Sequence, residues 1–301
     1  MEQNRDMEKG IRSGFIAIVG RPNVGKSSMV NYLVGEKVAI VSNKPQTTRN
    51  RIMGVVNGDG YQMVLLDTPG MHIPKTKLGK YMEATATRSM RDVECVLLVL
   101  DGKRGVTDFE AGLMEQLQEA GGAYLVCVNK VDLLKGAEKE ALFVLVEEKC
   151  GKAPYASSAT TGEGMDTLLQ ALVAQLPPGP LYFPPGEVTD MPEEFITTEI
   201  IREKALSNLY DEIPHGVGVE LEKFMEREDG IVEVQAVLYC EKKSHKGMII
   251  GKNGSMLKKI STEARLNLEE LFGAQVFLRI FVKVREDWRD NNRALKDLGY
   301  E

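Results

Sequence analysis

Residues 15–35 read FIAIVGRPNVGKSSMVNYLVG. A strand-length apolar run stops at Gly20, a polar turn follows, and helical periodicity resumes after Lys26. The turn fits G-x-x-x-x-G-K-[S/T], a pattern that chance produces in roughly one chain of this length per hundred. Gly20 and Gly25 let the backbone bend tightly enough for successive N–H groups to face one anion. The helix that follows adds the positive end of its dipole to the same place. Lys26 supplies a point charge for β- and γ-phosphates, and the Ser27 hydroxyl is a ligand for Mg²⁺. Gly20, Arg21, Pro22, Asn23, Val24, Gly25, Lys26, Ser27 and Ser28 therefore form a candidate nucleotide cradle.

Three further pieces arrive in order. YQMVLLDTPGMH places Asp67 at a strand end, where a carboxylate holds Mg²⁺ through water, and Thr68, Pro69, Gly70 and Met71 form the turn after it. Without a side chain, the Gly70 N–H is free to approach a γ-phosphate. Asn129-Lys130-Val131-Asp132 follows AYLVCV at another strand end, and Ser158-Ala159 lies in PYASSATTG. An aspartate at position 132 selects guanine, because a carboxylate accepts from both N1–H and the exocyclic amine. Adenine would leave that acceptor unpaired, a loss of several kcal/mol and on the order of a hundredfold or more in affinity. Residues 43–50, NKPQTTRN, form a polar loop suited to ordering around γ-phosphate and Mg²⁺. Its Thr47 or Thr48 should give the second hydroxyl ligand, and Thr48 is favoured.

These pieces resemble the G motifs of the translation-factor-related GTPases. In Ras-like members the residue after the turn glycine is a glutamine that orients the attacking water, whereas here it is Met71. Slow intrinsic turnover is expected, with a partner or an ion supplying what the side chain lacks. In the resembling potassium-stimulated GTPases an asparagine at the place of Asn23 ligates a monovalent cation, which implies K⁺ beside the phosphates here. The catalytic roles then fall to Lys26, Thr48, Gly70 and Asn23, and the metal ligands to Ser27, Thr48 and Asp67 for Mg²⁺ and Asn23 for K⁺.

The second half follows a different pattern. Residues 14–176 alternate buried-strand runs (FIAIVG, YQMVLLD, CVLLVLD, AYLVCVNK) with helical stretches, as in an α/β fold with a mostly parallel sheet and helices on both faces. Residues 1–13 are expected to form a flexible N-terminus. PPGPLYFPPG opens a linker, 177–192. A helix, two alternating strands, MIIGKNG, a second helix and the strand VFLRIFVKVR then fill 193–301, an α+β unit. GxxG between short helices lets a sugar–phosphate backbone approach main chain directly. From Lys242 to Arg265 there are seven Lys/Arg (242, 243, 246, 252, 258, 259 and 265) and one acid, Glu263, although residues 186–301 carry a net charge of −6. That local positive patch beside the turn is the footprint of specific nucleic-acid contact. The segment resembles a type II KH domain. The candidate contacts to single-stranded RNA are Ile249, Ile250, Gly251, Lys252, Asn253, Gly254, Lys258 and Lys259.

Composition sets limits on other readings. The 301 residues are 43% hydrophobic and 27% charged, with net charge −6, which argues against indiscriminate binding to nucleic acid. The N-terminal MEQNRDMEKGIRSG has no apolar signal region and no run reaches membrane-spanning length, so a cytoplasmic protein is expected. Cys95, Cys127, Cys150 and Cys240 lack CxxC spacing and read as core residues, and the three histidines suggest no metal site.

Taken together, GRPNVGKS, QTTRN, DTPGMH, NKVD, SAT and GKNG make the chain resemble the Era family of bacterial GTPases over essentially its whole length. The resemblance implies GTP and GDP as ligands, a monomer, and binding to the 3′ end of 16S rRNA while the 30S subunit is assembled and its rRNA matures. It also implies an RNA site exposed by GTP and peripheral contact with the inner face of the membrane. A GTP-gated targeting protein working at the membrane is the alternative, weakened by the want of an amphipathic, aromatic-bearing anchor.

Overall fold

The computed structural model describes residues 10–300. Most of the expected N-terminal tail lies outside these residues, and its last two, Arg12 and Ser13, already belong to strand β1 (Arg12–Val19).

Six strands form one sheet in the order β2 (Ile52–Gly58), β3 (Tyr61–Asp67), β1, β4 (Cys95–Asp101), β5 (Tyr124–Asn129), β6 (Tyr155–Ala156). All pair in parallel except β2 with β3. The edge strand Ile52–Gly58 is not among the four buried-strand runs of the sequence. Its IMGVVNG is short, glycine-bearing and polar at one end. Alternate residues serve opposite faces. Ile16 and Ile18 enter a core with helices α1 (Lys26–Val34) and α5 (Met165–Val173). Ala17 and Val19 enter a second core with α3 (Asp108–Glu119) and α4 (Gly136–Cys150). Each fully buried Ile contributes roughly 1.5–3 kcal/mol by leaving water. The four cysteines are free and buried.

Parallel register brings the chemistry to one rim. Ile18 pairs with Asp67, and Asp101 pairs with Asn129, so the phosphate turn, DTPG and NKVD leave the carboxyl ends of β1, its neighbour β3, and β5 beyond β4, all on one rim.

The chain clusters into two compact units. The first holds residues up to Ala39, Thr48–His72 and Met82–Asp190; the second holds Ile40–Thr47, Ile73–Tyr81 and the chain from Met191 onward. The proline-rich segment after residue 177 is fixed to the first unit. The buried Gln62 amide accepts from the Tyr182 and Phe183 N–H groups (2.8 and 3.0 Å) and donates to the Phe183 carbonyl (2.9 Å).

In the second unit, helix α6 (Glu193–Asn208) precedes β7 (Gly218–Glu226), β8 (Val232–Cys240), α7 (Lys243–Ile250), α8 (Ser255–Phe272) and β9 (Val276–Val284), the α-β-β-α-α-β order of a KH-like fold. β8 is central, antiparallel to β7 and parallel to β9. The amphipathic α8 buries Ile260, Ala264 and Leu268 against Ile201 and Ala205 of α6, while Leu271 stays exposed. Trp288 is fully buried and donates through Nε1 to the Gly216 carbonyl (2.9 Å).

Candidate functional site

The loop Gly20–Ser27 runs from β1 into α1. Lys26 is buried, and its Nζ donates to the Gly20 and Arg21 carbonyls (3.0 and 2.8 Å), which holds the loop closed around it. Gly25 sits at φ +99°, and a Cβ there would lie 2.2 Å from Asn129 Nδ2, so both backbone conformation and space demand glycine. Asn23 also takes a left-handed conformation (φ 65°) and is exposed.

Oxygen atoms converge beside this loop. The Ser27 hydroxyl donates to Asp67 Oδ2 (2.5 Å), Thr48 Oγ1 reaches the same oxygen at 3.3 Å, and the two hydroxyls are 2.9 Å apart. Thr47 instead turns its hydroxyl to the Lys44 carbonyl (2.6 Å). Asp67 is fully buried and its Oδ1 has no partner among the described residues. Burial pushes its carboxyl up to about 6 against the opposing pull of Lys26, Ser27 and Thr48. Burial likewise draws Lys26 down to about 8, with Asp67 opposing. A hard-oxygen set of two hydroxyls and a carboxylate with one orphaned oxygen fits Mg²⁺ shared with phosphate oxygens. Among the described residues no cluster of three His, Cys, Asp or Glu could hold a metal unaided.

The turn after Asp67 is packed onto the phosphate loop. A Cβ on Gly70 would come within 2.6 Å of the Pro22 backbone, and the Met71 N–H donates to the Gly20 carbonyl (3.0 Å). Thr68 donates through its hydroxyl to Ile18 O (2.7 Å), and Pro69 is buried beside it. Met71 itself packs against the core that holds Val19 and Leu98. The half-buried thioether covers apolar surface there, which a glutamine would do less well because its amide is better left hydrated.

The base-side loops are joined by Asn129. Its Nδ2 donates to the Val24 carbonyl (2.8 Å), and its Oδ1 accepts from the Ala159 N–H (3.1 Å) and the Ser157 hydroxyl (3.2 Å). Lys130, at φ 63°, donates to the Asn23 carbonyl (2.7 Å) and to Asp101 (2.6 Å). Asp132 is exposed in the short turn Val131–Leu133 with no protein partner for its carboxylate among the described residues. Ser158 is buried, and its hydroxyl accepts from the Thr161 N–H (3.2 Å). Ser28 is half-buried at the start of α1.

Arg21 points away from the cradle. Its guanidinium lies 4.3 Å above the Phe109 ring, donates to Glu110 (2.5 Å) and to Thr107 (2.9 Å), and leaves only its main chain facing the loop. Glu110, Thr107 and Asp101 thus anchor the site without having been read from the sequence. Thr-x-x-Glu is a legible capping signature, and it caps α3 here. Its reach to Arg21, 86–89 residues away, is not encoded locally.

In the second unit Gly251 (φ 73°), Asn253 (φ 53°) and Gly254 (φ 78°) shape an exposed turn between α7 and α8. Lys252, Asn253, Lys258 and Lys259 are exposed on it or beside it. Arg265 is neutralised by Glu269 (2.7 Å), and Glu263 stands 3.9 Å from Lys259, whereas Lys242, Lys243, Lys246, Lys252 and Lys258 have no ion pair among the described residues. Ile249 is fully buried in the core and Ile250 half-buried. Met248, two residues before Ile250, is exposed.

Residues 15–130 match the family described as 50S ribosome-binding GTPase, and residues 212–289 match the KH domain. GTPase Era of Ruminiclostridium cellulolyticum is 45% identical over 96% of this chain and 98% of its own. GTPase Era of Caldanaerobacter subterraneus is 47% identical over the same shares. Two crystal structures superpose with TM-score 0.93 over 96% of this chain and 99% of theirs. One is Era with MgGDPNP and nucleotides 1506–1542 of 16S ribosomal RNA, at 32% identity. The other is a single-residue variant of Aquifex aeolicus Era bound to GDP and AlF4−, at 31%. With its phosphate cradle, base-side loops and exposed GKNG turn all in place on one coextensive fold, the chain belongs to the Era family of GTPases.

Proposed function

We propose that this chain is a GTP-hydrolysing switch that binds the 3′ end of 16S rRNA through its KH domain and assists 30S assembly and rRNA maturation. The observation that carries the reading is the relative of matching fold and length that was crystallised with both MgGDPNP and that RNA. The division of the chain follows: a G domain over 14–176, a linker over 177–192 and an RNA-binding domain over 193–301.

Within the G domain, the loop N–H groups and Lys26 neutralise phosphate charge, and Ser27, Thr48 and Asp67 hold Mg²⁺. The ion, when bound, neutralises charge that develops between the β- and γ-phosphates. The Gly70 N–H is directed to the γ-phosphate. Asp132 selects guanine, Asn129 ties the base loop to the phosphate loop, and Ser158 and Ala159 complete the base pocket, Ala159 through its main chain. Because Met71 serves the core, water is oriented without a side-chain base and intrinsic turnover is slow. Asn23, exposed at the loop's outer bend, is suited to ligate K⁺. Faster single-turnover hydrolysis in K⁺ than in Na⁺ supports that role, and equal rates overturn it.

The RNA contacts are Gly251, Lys252, Asn253 and Gly254 with Lys258, Lys259 and Ile250. The protein acts as a cytoplasmic monomer whose contact with the inner membrane face is peripheral. No helix of the described residues is long and apolar enough to cross a membrane. The test is binding of RNA 1506–1542 with GDPNP present. Gly251→Asp with Gly254→Asp should abolish RNA binding and leave GTP affinity unchanged. Equal RNA binding by this variant refutes the assignment.

A further inference from the structure

Arg202 is the most deeply buried charge on α6, with 1% of its side chain exposed. Its Nε donates to Glu199 Oε1 (2.8 Å), and its Nη2 donates to Glu199 Oε2 and to the Thr47 carbonyl (2.5 Å). The next residue, Glu203, accepts the Val41 N–H through Oε1 (3.0 Å). Both ends of Ile40–Thr47 are therefore held on one turn of α6, inside the second unit. The peptide bond after Thr47 leads directly to Thr48, whose hydroxyl joins Ser27 and Asp67.

This arrangement has a poor return as a purely structural one. Arg202 Nη1 is buried with no partner among the described residues, and buried ion pairs add little net stability over apolar side chains of similar size. What the guanidinium does specifically is fix a carbonyl one residue before the proposed metal ligand. The same helix ends at Asn208, whose Nδ2 donates to Glu263 (2.6 Å) on α8, the helix that begins at the GKNG turn.

We propose that Arg202 is a positioning residue for Thr48 and the point on α6 through which the coupling of nucleotide and RNA, already entailed by the proposed switch, passes to residues 40–47. Holding the Thr47 carbonyl favours the nucleotide state in which Thr48 is engaged, and RNA bound at GKNG favours the α6 position that does the holding. By linkage, RNA must then raise affinity for a γ-phosphate-bearing nucleotide by the same factor that this nucleotide raises affinity for RNA. The inference rests on the switch function proposed above.

The test uses the full chain, GDPNP, GDP and RNA 1506–1542, and reads the GDPNP affinity with and without saturating RNA. Arg202→Lys keeps the charge but cannot reach Glu199 and the Thr47 carbonyl together as a planar guanidinium does. Arg202→Met combined with Glu199→Met removes both charges and guards against misfolding from an unpaired carboxylate. In both variants the RNA-induced gain in GDPNP affinity should fall about tenfold, or to unity if the gain is smaller. The Mg²⁺ concentration that half-saturates GDPNP binding should rise, with GDP affinity and thermal midpoint as references. If the wild type shows the gain and both variants retain it, Arg202 has no positioning role. If the wild type binds both ligands without any gain, the linkage is wrong while the binding assignments stand. A wild type that binds neither ligand overturns the proposed function and this inference together.

Discussion

Asn129→Ala should damage the free protein before it damages nucleotide binding. The Asn129 side chain is 1% exposed and makes three hydrogen bonds, to Val24 O (2.8 Å), Ala159 N (3.1 Å) and Ser157 Oγ (3.2 Å). Ser157 keeps a second neighbour in Cys127 Sγ at 3.0 Å, so its loss is the mildest. The Val24 carbonyl and the Ala159 N–H lose their partner, and an unpaired buried group costs about 1–3 kcal/mol. Allowing for water entering the vacated space, the expected destabilisation is about 2–4 kcal/mol, or roughly 30- to 1000-fold in the folding equilibrium. Urea unfolding of nucleotide-free protein measures it as a lower midpoint at unchanged slope. Because Val24 belongs to the phosphate loop and Ala159 to the base loop, GDP affinity should fall along with stability. Xanthine nucleotides should not rescue it. A variant that unfolds at the wild-type urea midpoint, yet has lost guanine selectivity alone, would falsify the tie between the two loops and make Asn129 a simple base contact.

Met71→Gln should not speed hydrolysis and should destabilise the first unit by no more than about 1 kcal/mol, since the half-buried position 71 loses a thioether packed against the core. Faster single-turnover hydrolysis in this variant would contradict that placement. Glu110→Gln should remove acid-sensitive stability. Burial raises the Glu110 pKa, but hydrogen bonds from Thr107 and Arg21 outweigh it and hold the carboxyl below its ordinary value. Its stabilisation is therefore full above the ordinary carboxylate range and is lost as pH falls through the lowered value. The wild type and variant should differ at pH 7 by about 1–2 kcal/mol and converge in acid, and parallel pH profiles would refute this. Gln62→Ala should release the segment after residue 177, seen as rapid chymotryptic cleavage after Tyr182 with the sheet intact, the Phe183–Pro184 bond being resistant. Unchanged cleavage would mean that the ring contact between Phe15 and Tyr182 (4.8 Å) suffices to hold it.

The motifs were legible because each is a local answer to a local demand. A loop that wraps phosphate needs Gly20 and Gly25 at fixed spacing, and a strand end that meets Mg²⁺ needs an acid such as Asp67. The apolar positions Leu257, Ile260, Ala264, Leu268 and Leu271 mark α8 in the sequence; Ile260, Ala264 and Leu268 are buried as the 3.6-residue repeat requires, whereas Leu257 is partly buried and Leu271, near the helix end, is exposed. The edge strand Ile52–Gly58 was less legible, since an antiparallel edge needs neither a long run nor full burial on two faces.

The sequence by itself determined the two folds, the glycine-rich loop after β1, the NKVD turn that carries Asp132 and the basic GKNG turn, because all depend on residues close together along the chain. Only tertiary structure decided that Thr48 rather than Thr47 faces Asp67, that Arg21 stacks on Phe109, that Met71 belongs to a core and that Ile249 is sealed inside one. It also decided that Arg202 holds the Thr47 carbonyl from 155 residues away. These choices are made by packing and by the pairing of buried polar groups across long separations. A side chain's chemistry says what it can bond to, but only the folded backbone says which partner comes within about 3 Å of it.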